Sequence, residues 1–200
     1  MTALTWKQDG SKLVTGSLCG SIDIYDASLK KIKYKGKFEF NYVAPNQIVV
    51  KTIATGNRVV VKSNFSNEIR KINVFQDRYV VANTHETLLL GDLETTKISE
   101  MMWKESENEK YDFSNPNICM VFNSGELTLV EYGNNEPLGN CRTEHMKRNL
   151  ISCRISYSAV EKGKAKKTIA FLLDLQTISI QDLDNNSTSA HIMHDSKVKF

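Results

Sequence analysis

The chain has 200 residues, of which 40% are hydrophobic and 8% aromatic, so its composition excludes a disordered chain and suits one domain or part of a larger one. Lys and Arg number 26 and Asp and Glu number 23, a balance that argues against a surface built to follow nucleic-acid phosphates. The N-terminus lacks a secretory signal pattern, and no apolar run approaches the ~20 residues that span a bilayer. We therefore expect a cytoplasmic protein that binds no nucleic acid.

In chain order, the first readable pattern is TWKQDGSKLVTGSLCGSIDIYD at residues 5–26, where two β-favouring runs flank a turn of small residues. The same arrangement occurs five times along the chain. Gly and Asn are common in the turns, and both tolerate the positive φ that a tight hairpin needs. The pattern predicts five hairpins, centred near Gly20, Gly56, His85, Gly125 and Leu175.

The second runs of these hairpins are IDIYD, VVVKS, LLLGD, LTLVE and ISIQD, and their starts lie roughly 40 residues apart on average. Such spacing is typical of β-propeller blades with outer loops of variable length. No segment repeats apolar residues at helical spacing over ~11 residues, and KISEMMWK at 97–104 is predicted as an outer strand followed by a loop. The sequence therefore predicts an all-β fold of WD40-like β-propeller blades.

Acidic residues recur at the end of these runs. The Asp of the Trp-Asp dipeptide that names the WD40 blade holds this position, but the preceding residue here is Tyr25, Gly91 or Gln181, and the second run has Ser63 in place of the acid. We expect these carboxylates to cap the strand ends and bond the following turns, with no part in catalysis. The strand-end carboxylates are Asp26, Asp92, Glu131 and Asp182.

Catalytic and ligand-binding patterns are absent from the sequence. There is no nucleotide-binding glycine loop, nucleophile elbow or zinc-protease motif, and the four cysteines are too far apart to indicate a zinc knuckle or a disulfide framework. His191 and His194 lie three residues apart in a strand-like setting, with no third ligand near in sequence. We expect no catalytic residue, metal, cofactor or small-molecule substrate, and thiols that are free and mainly buried.

Lysines form two clusters. The first, KKIKYKGK, is suited to meet an anionic surface, either lipid headgroups or an acidic partner, with Ile32 and Tyr34 adding apolar contact. The alternative, which the pattern favours, is a solvated loop between blades. The second cluster, KGKAKK at 162–167, is predicted as an exposed hairpin loop. The candidate interaction patch consists of Lys30, Lys31, Lys33, Lys35 and Lys37.

Several longer stretches together carry a family resemblance: TALTWKQDGSKLVTGSLCGSID, ETLLLGDL, NEKY, GELTLVEYGNNEPLG, RTEHM and LIS. They closely resemble the N-terminal WD-repeat region of a family of large peripheral subunits of intraflagellar transport complex B. The resemblance runs from about residue 2 to 200, although the KGKAKK insertion differs in character. It implies two tandem propellers and a helical tail in the family. On this basis we expect an internal fragment, with the last blade of a first propeller at 1–35 and the opening blades of a second at 36–200.

The same resemblance implies a non-catalytic scaffold that docks other complex B subunits, supports cilium assembly and transport along the axoneme, and is found at the axoneme, at the basal body and in the cytoplasm. It also implies a membrane surface as a further partner. The alternatives are a vesicle-coat scaffold of WD repeats and, less favoured, a propeller enzyme. In a closing blade, we expect five apolar residues to fill the wedge between neighbouring blades: Trp6, Leu13, Val14, Ile22 and Ile24.

Overall fold

The computed structural model describes residues 3–104, 109–123, 125–142, 154–161, 164–183, 185 and 187–197. These residues form strands joined by turns and bends, and the all-β prediction is confirmed. None of them belongs to a helix long and apolar enough to span a membrane. Most of the RTEHM stretch, all of LIS, and the residues Cys153 and Lys162 lie outside the described residues.

The described strands form five antiparallel sheets, in each of which the strands follow one another in chain order. Sheet 1 has β1 Ala3–Trp6, β2 Lys12–Gly16 and β3 Ile22–Asp26. Sheet 2 has β4 Lys30–Tyr34, β5 Phe38–Ala44, β6 Gln47–Thr52 and β7 Arg58–Lys62. Sheet 3 has β8 Lys71–Phe75, β9 Tyr79–Asn83, β10 Thr87–Asp92 and β11 Lys97–Met102. Sheet 4 has β12 Lys110–Asp112, β13 Ile118–Asn123, β14 Glu126–Glu131 and β15 Gly139–Arg142. Sheet 5 has β16 Arg154–Glu161, β17 Lys164–Leu172, β18 Thr177–Asp182 and β19 Ser187–Met193.

Sheets 2 to 5 each have four strands in the up-and-down order of a propeller blade, so the prediction of WD40-like blades is confirmed. The chain divides into two compact units, Met1–Glu68 with sheets 1 and 2, and Ile69–Phe200 with sheets 3 to 5. The boundary that we expected between residues 35 and 36 falls in the turn between two paired strands, β4 and β5. Residues 30–34 therefore share a sheet with residues 38–62.

All five predicted hairpins are present as ladders in the described chain. In sheets 3 to 5 the hairpin supplies the second and third strands, but in sheet 2 it supplies the third and fourth. In sheet 2 the predicted hairpin is therefore displaced by one strand relative to sheets 3 to 5. The third strand of sheet 2 ends at Thr52, and Ser63, which takes the place of the acidic residue in the sequence pattern, follows the fourth strand. The central hairpin of sheet 2 closes between Ala44 and Gln47, through Pro and Asn, and was not among the five predicted hairpins.

Sheet 2 separates apolar from charged side chains by strand alternation. Along β7, Val59 and Val61 are buried, whereas Arg58, Val60 and Lys62 are exposed. Successive side chains of a strand point to opposite faces, so one face of the sheet forms a core and the other meets solvent. The residues of this core are Phe38, Phe40, Ile48, Val50, Val59 and Val61.

Sheet 4 is buried on both faces. Its strand β13 places Cys119 and Val121 in a cluster with residues of sheet 3, and Ile118 and Met120 in a second cluster with residues of sheet 5. The two sets alternate along the strand, as opposite faces of a sheet require. Sheets 3, 4 and 5 thus stack through two separate cores, the packing expected of adjacent blades.

Gly91 lies in β10 directly before Asp92, at the place of the Trp in the WD40 dipeptide. It pairs with Val80 of β9 and with Ile98 of β11. A Cβ at position 91 would lie 2.2 Å from Cδ1 of Ile98 and 3.1 Å from Cγ1 of Val80. Side chains of the flanking strands therefore occupy the space beside Gly91, and a larger residue fits only if Ile98 moves.

Sheet 1 does not bury the apolar residues that we expected to fill a wedge. Ile22 is 71%, Ile24 64% and Trp6 55% exposed. The register also separates the set, because Trp6 pairs with Leu13 on one face while Ile24 pairs with Val14 on the other. The prediction of burial is wrong for this chain, since strand side chains are buried only by a covering layer and β1 and β3 are exposed along their whole length.

Candidate interaction surface

The first lysine cluster lies on an edge strand, so its interpretation as a loop between blades is wrong. Lysines alternate in β4 with Ile32 and Tyr34, and these two pair with Phe40 and Phe38 of β5. The rings of Tyr34 and Phe40 stack with centroids 5.0 Å apart. This apolar contact holds residues 30–34 in the sheet, and lysines on an edge strand discourage pairing with another chain.

Alternation divides the lysines of β4 between two faces. Lys30 lies on the side of the apolar core, where its Nζ is 4.9 Å from the ring centre of Tyr42. Lys31 and Lys33 lie on the opposite face, and all three lysines are exposed. The predicted patch is therefore not a single surface, although the sequence places its members side by side.

The two remaining lysines of the patch lie in the turn between β4 and β5. Lys35 has a φ of 51°, and its Nζ lies 5.1 Å from the centre of the Tyr34 ring. Lys37 ends the turn and is exposed. Both turn lysines already have contacts within the chain, so Lys31 and Lys33 are the members best placed to meet a partner.

The face that carries Lys31 and Lys33 holds further cations that the sequence analysis missed. Lys33 pairs with Glu39, and Glu39 pairs with Lys51. Lys51 in turn pairs with Arg58 of β7. Directly paired residues of an antiparallel sheet point to the same side, so these side chains form one row across four strands. We call the following set the cationic face: Lys31, Lys33, Lys51, Arg58 and Lys62.

The cationic face has little counter-charge. Residues 30–62 include eight Lys and Arg and one acidic residue, Glu39, whereas Lys and Arg exceed Asp and Glu by only three in the whole chain. Glu39 accepts a hydrogen bond from the side chain of Asn41 at 3.2 Å. Within the described chain, no side chain of the cationic face makes a hydrogen bond or ion pair. Repulsion within the face is therefore offset only by Glu39 and by solvent.

Among the strand-end carboxylates, Asp92 accepts four hydrogen bonds. Nε and Nη2 of Arg78 donate to its two oxygens at 2.9 and 2.8 Å, and the side chain of Asp92 is 0% exposed. The backbone N–H of Glu94 and the hydroxyl of Thr95 each donate at 3.0 Å. Burial acts to raise the pKa of Asp92, but these hydrogen bonds outweigh it and hold the pKa below its ordinary value. Asp92 thus ties the turn after β8 to the turn after β10.

Two other strand-end carboxylates bond the residues that follow them. Asp26 is exposed and accepts from the backbone N–H of Ser28 at 2.9 Å. The hydroxyl of Ser28 is the main cause that lowers the pKa of Asp26. Asp182 accepts from Nδ2 of Asn185 at 3.2 Å. Each side chain therefore lies against its own turn.

Glu131 makes a different contact, because it bonds a strand of the next sheet. Nζ of Lys167 donates to its Oε2 at 3.0 Å, so the pair joins β14 of sheet 4 to β17 of sheet 5. This lysine belongs to the second cluster, which we predicted as a hairpin loop. That interpretation is wrong for residues 164–167, which are part of β17 and pair with β16.

The cysteines of the described chain are free. Cys119 and Cys141 are buried, and burial raises the pKa of both thiols, that of Cys141 to about 11. Cys19 is exposed in the turn between β2 and β3, where the hydroxyl of Ser17 lies 2.8 Å from its Sγ. This hydrogen bond, with smaller contributions from Ser21, lowers the pKa of Cys19 to about 7.

The two histidines singled out in the sequence are exposed. His191 lies in β19 opposite Ser179, and Nδ1 of His194 accepts from the backbone N–H of Ser196 at 3.2 Å. Within the described residues, no three His, Cys, Asp or Glu side chains lie close enough together to hold a metal ion.

Known proteins are similar in sequence to this chain along almost its whole length. The chain is 50% identical, over 99% of its length, to intraflagellar transport protein 172 of Chlamydomonas reinhardtii. It is 48% identical over 99% of its length to the homologue in Homo sapiens, and 36% identical over 98% to intraflagellar transport protein osm-1 of Caenorhabditis elegans. The chain is a homologue of one segment of intraflagellar transport protein 172. It spans 11% of the length of each of these relatives.

No family model matches the chain. Superposition on the C-terminal WD40 domain of Sif2 gives a TM-score of 0.33 and 14% identity, over 97% of this chain and 58% of that one. Superposition on the computationally designed Ika8 protein gives a TM-score of 0.32 and 16% identity, over 99% of this chain and 76% of that one. These scores are too low to support the fold, which rests on the sheet topology.

Proposed function

We propose that the chain is a non-catalytic docking segment of an intraflagellar transport protein. The observation that carries the proposal is an identity of 36 to 50% to relatives named for intraflagellar transport, along nearly the whole chain. Because the chain spans 11% of each of these relatives, it corresponds to a small part of a large protein. Stacked blades with packed cores are suited to present a rigid surface to partners.

The partners in this proposal are other subunits of intraflagellar transport complex B. The setting is the axoneme and basal body of the cilium together with the cytoplasm, where the scaffold serves cilium assembly and transport along the axoneme. The strand-end carboxylates hold the blades, and the contacts of Asp92 and Glu131 support that structural role. A membrane surface is the alternative partner of the lysine cluster, and the exposure of Lys31 and Lys33 supports an anionic contact of either kind.

Assignment of the chain to two propellers is also part of the proposal. The pairing of β4 with β5 favours a boundary in residues 27–29 over one at 35 and 36. Hydrogen exchange tests this point, because the β4 amides that bond β5 should be protected from exchange if both strands belong to one blade. Fast exchange throughout residues 30–34 would instead favour the boundary between residues 35 and 36.

The function is tested by a segment exchange in Chlamydomonas cells that lack their intraflagellar transport protein 172. The chain replaces the homologous segment of that protein, and we expect the chimaera to restore flagella and to copurify with complex B. Recovery with vesicle-coat subunits in place of complex B would favour the vesicle-coat alternative.

A matched control separates the surface of the chain from its fold. A second chimaera carries a segment of equal length from the WD40 domain of Sif2, which offers blades without the intraflagellar transport sequence. We expect this control to be expressed and not to recover complex B. If both chimaeras recover complex B equally, the segment acts as a spacer and the docking proposal fails.

A further inference from the structure

We propose that the cationic face of sheet 2 binds an extended, acidic protein segment. The sequence pointed to five neighbouring lysines, but the strand register assembles a different set from β4, β6 and β7. The inference depends on the proposed docking function only for its biological meaning, because peptide binding is a property of the chain by itself and is measured on it alone.

The spacing of the row fits a short extended peptide. Neighbouring strands lie about 4.8 Å apart, so Lys33 and Arg58, three strands apart in the ladder, are separated by about 14 Å. An extended chain rises about 3.4 Å per residue, so acidic residues at alternate positions span this distance in five residues. Glu39 occupies the second place in the row, and acidic side chains are therefore expected to meet Lys33 on one side of it and Lys51 with Arg58 on the other.

Charge favours an acidic ligand on this face. Four of the five cations are exposed, Lys51 is partly exposed, and none is engaged by a described residue. By contrast, Arg78 and Lys167 elsewhere in the chain have carboxylate partners at 2.8 to 3.0 Å. An uncompensated group of like charges attracts an oppositely charged partner and sets the orientation in which it docks.

A protein segment fits this face better than a lipid surface does. Binding in a membrane interface relies on aromatic and apolar side chains that enter the headgroup region. The aromatic residues of sheet 2, Tyr34, Phe38, Phe40 and Tyr42, lie on the opposite face, and Phe38 and Phe40 are buried in the core. Glu39 in the middle of the row would also oppose a dense layer of phosphates, whereas a peptide is able to place a neutral residue opposite it.

The experiment measures binding of a fluorescein-labelled peptide, Ser-Glu-Ser-Glu-Ser-Glu-Ser, to the 200-residue chain by fluorescence anisotropy at 150 mM salt. We expect the double variant Lys33→Glu/Lys51→Glu to weaken binding about tenfold, because two partly exposed ion pairs are replaced by repulsion. The control variant is Arg70→Glu/Lys71→Glu, two exposed cations at the start of sheet 3, and it should leave the affinity unchanged. Both variants change the net charge equally, and circular dichroism of both checks the fold.

The outcomes decide between the partner classes. Loss of binding only in the sheet 2 variant supports the proposal. Equal loss in both variants would overturn it, because net charge alone would then explain binding. Absence of peptide binding, combined with flotation of the chain on vesicles of phosphatidylcholine and 30% phosphatidylserine, would assign the face to a membrane and would also overturn the proposal. Failure of peptide binding with intact recovery of complex B would leave the proposed function standing.

Discussion

Asp92 is a buried carboxylate whose charge is fully engaged by Arg78, Glu94 and Thr95. Replacement by Asn keeps its shape and leaves the guanidinium of Arg78 with the exposed carboxylate of Glu94 as its remaining charged partner. Because the side chain of Arg78 is 28% exposed, we expect a loss of about 2 kcal/mol in the free energy of unfolding, below the range for fully buried pairs. Urea unfolding followed by Trp103 fluorescence, in a Trp6→Phe background, measures the change.

Asp26 supplies the matched control for Asp92, since both end the third strand of a sheet. The Asp26 side chain is exposed, so Asp26→Asn should leave unfolding within experimental scatter. A loss at Asp26 as large as that at Asp92 would show that position in the repeat, and not burial, determines the effect.

The lowered pKa of Asp92 predicts a loss of stability in acid. Its pKa is below the ordinary 3.8, so the unfolded chain takes up the proton more readily than the folded chain does. The contribution of the carboxylate is complete above about pH 4 and declines as the pH falls from there through the folded pKa. The difference in unfolding free energy between the native chain and Asp92→Asn should therefore shrink between pH 5 and pH 2.5. A constant difference over that range would contradict the pKa direction.

Cys19 is expected to be the reactive thiol among the described cysteines. Its pKa of about 7, set mainly by the Ser17 hydroxyl, predicts that alkylation by iodoacetamide rises with a midpoint near pH 7. Ser17→Ala should move that midpoint toward the ordinary 9.0. Peptide mass mapping should find Cys119 and Cys141 unmodified until urea is added, and their rapid labelling in the native chain would contradict their burial.

At the scale of elements, strand β7 tests the two faces of sheet 2 with neighbouring residues of the same type. Val61 is 0% exposed and Val60 is 50% exposed. Val61→Asp buries an unpaired charge and should cost several kcal/mol, enough to unfold the sheet, whereas Val60→Asp should cost little. Hydrogen exchange of the β5 and β6 amides measures both effects. Equal protection in the two variants would contradict the assigned faces.

The hairpins were predictable from sequence because apolar runs flank turns marked by Gly or Asn, as at Gly20 and Gly125, whose φ values are 85° and 88°. The hairpin between β5 and β6 was missed, although Pro45 and Asn46 mark its turn, because residues 38–44 were not among the runs identified as strands. The cationic face was not predictable in the same way. Lys33 and Arg58 are distant in sequence, and only the register of three ladders brings them into one row.

At the scale of the whole molecule, the exposed apolar residues of sheet 1 predict self-association of the chain. Trp6 on one face and Ile22 and Ile24 on the other are more than half exposed. Exposed apolar surface of this kind promotes association. Light scattering of the purified chain should show oligomers that grow with concentration, and Ile22→Ser/Ile24→Ser should reduce them.

The control for sheet 1 is the double variant Val43→Ser/Ile53→Ser, which removes two exposed apolar residues, one in β5 and one directly after β6. This variant should associate like the native chain. If the native chain is monomeric at every concentration, or if both double variants have the same effect, sheet 1 is not the source of association.

The absence of tryptophan before Asp92 follows from an exchange of volume between strands. Ile98 reaches across from β11 into the space beside Gly91, so the blade keeps a filled interior without the large ring. Evolutionary change at residues 91 and 98 should be correlated, with a larger side chain at one accompanied by a smaller one at the other. A consensus design that restored tryptophan at 91 alone would damage the blade that it was meant to improve.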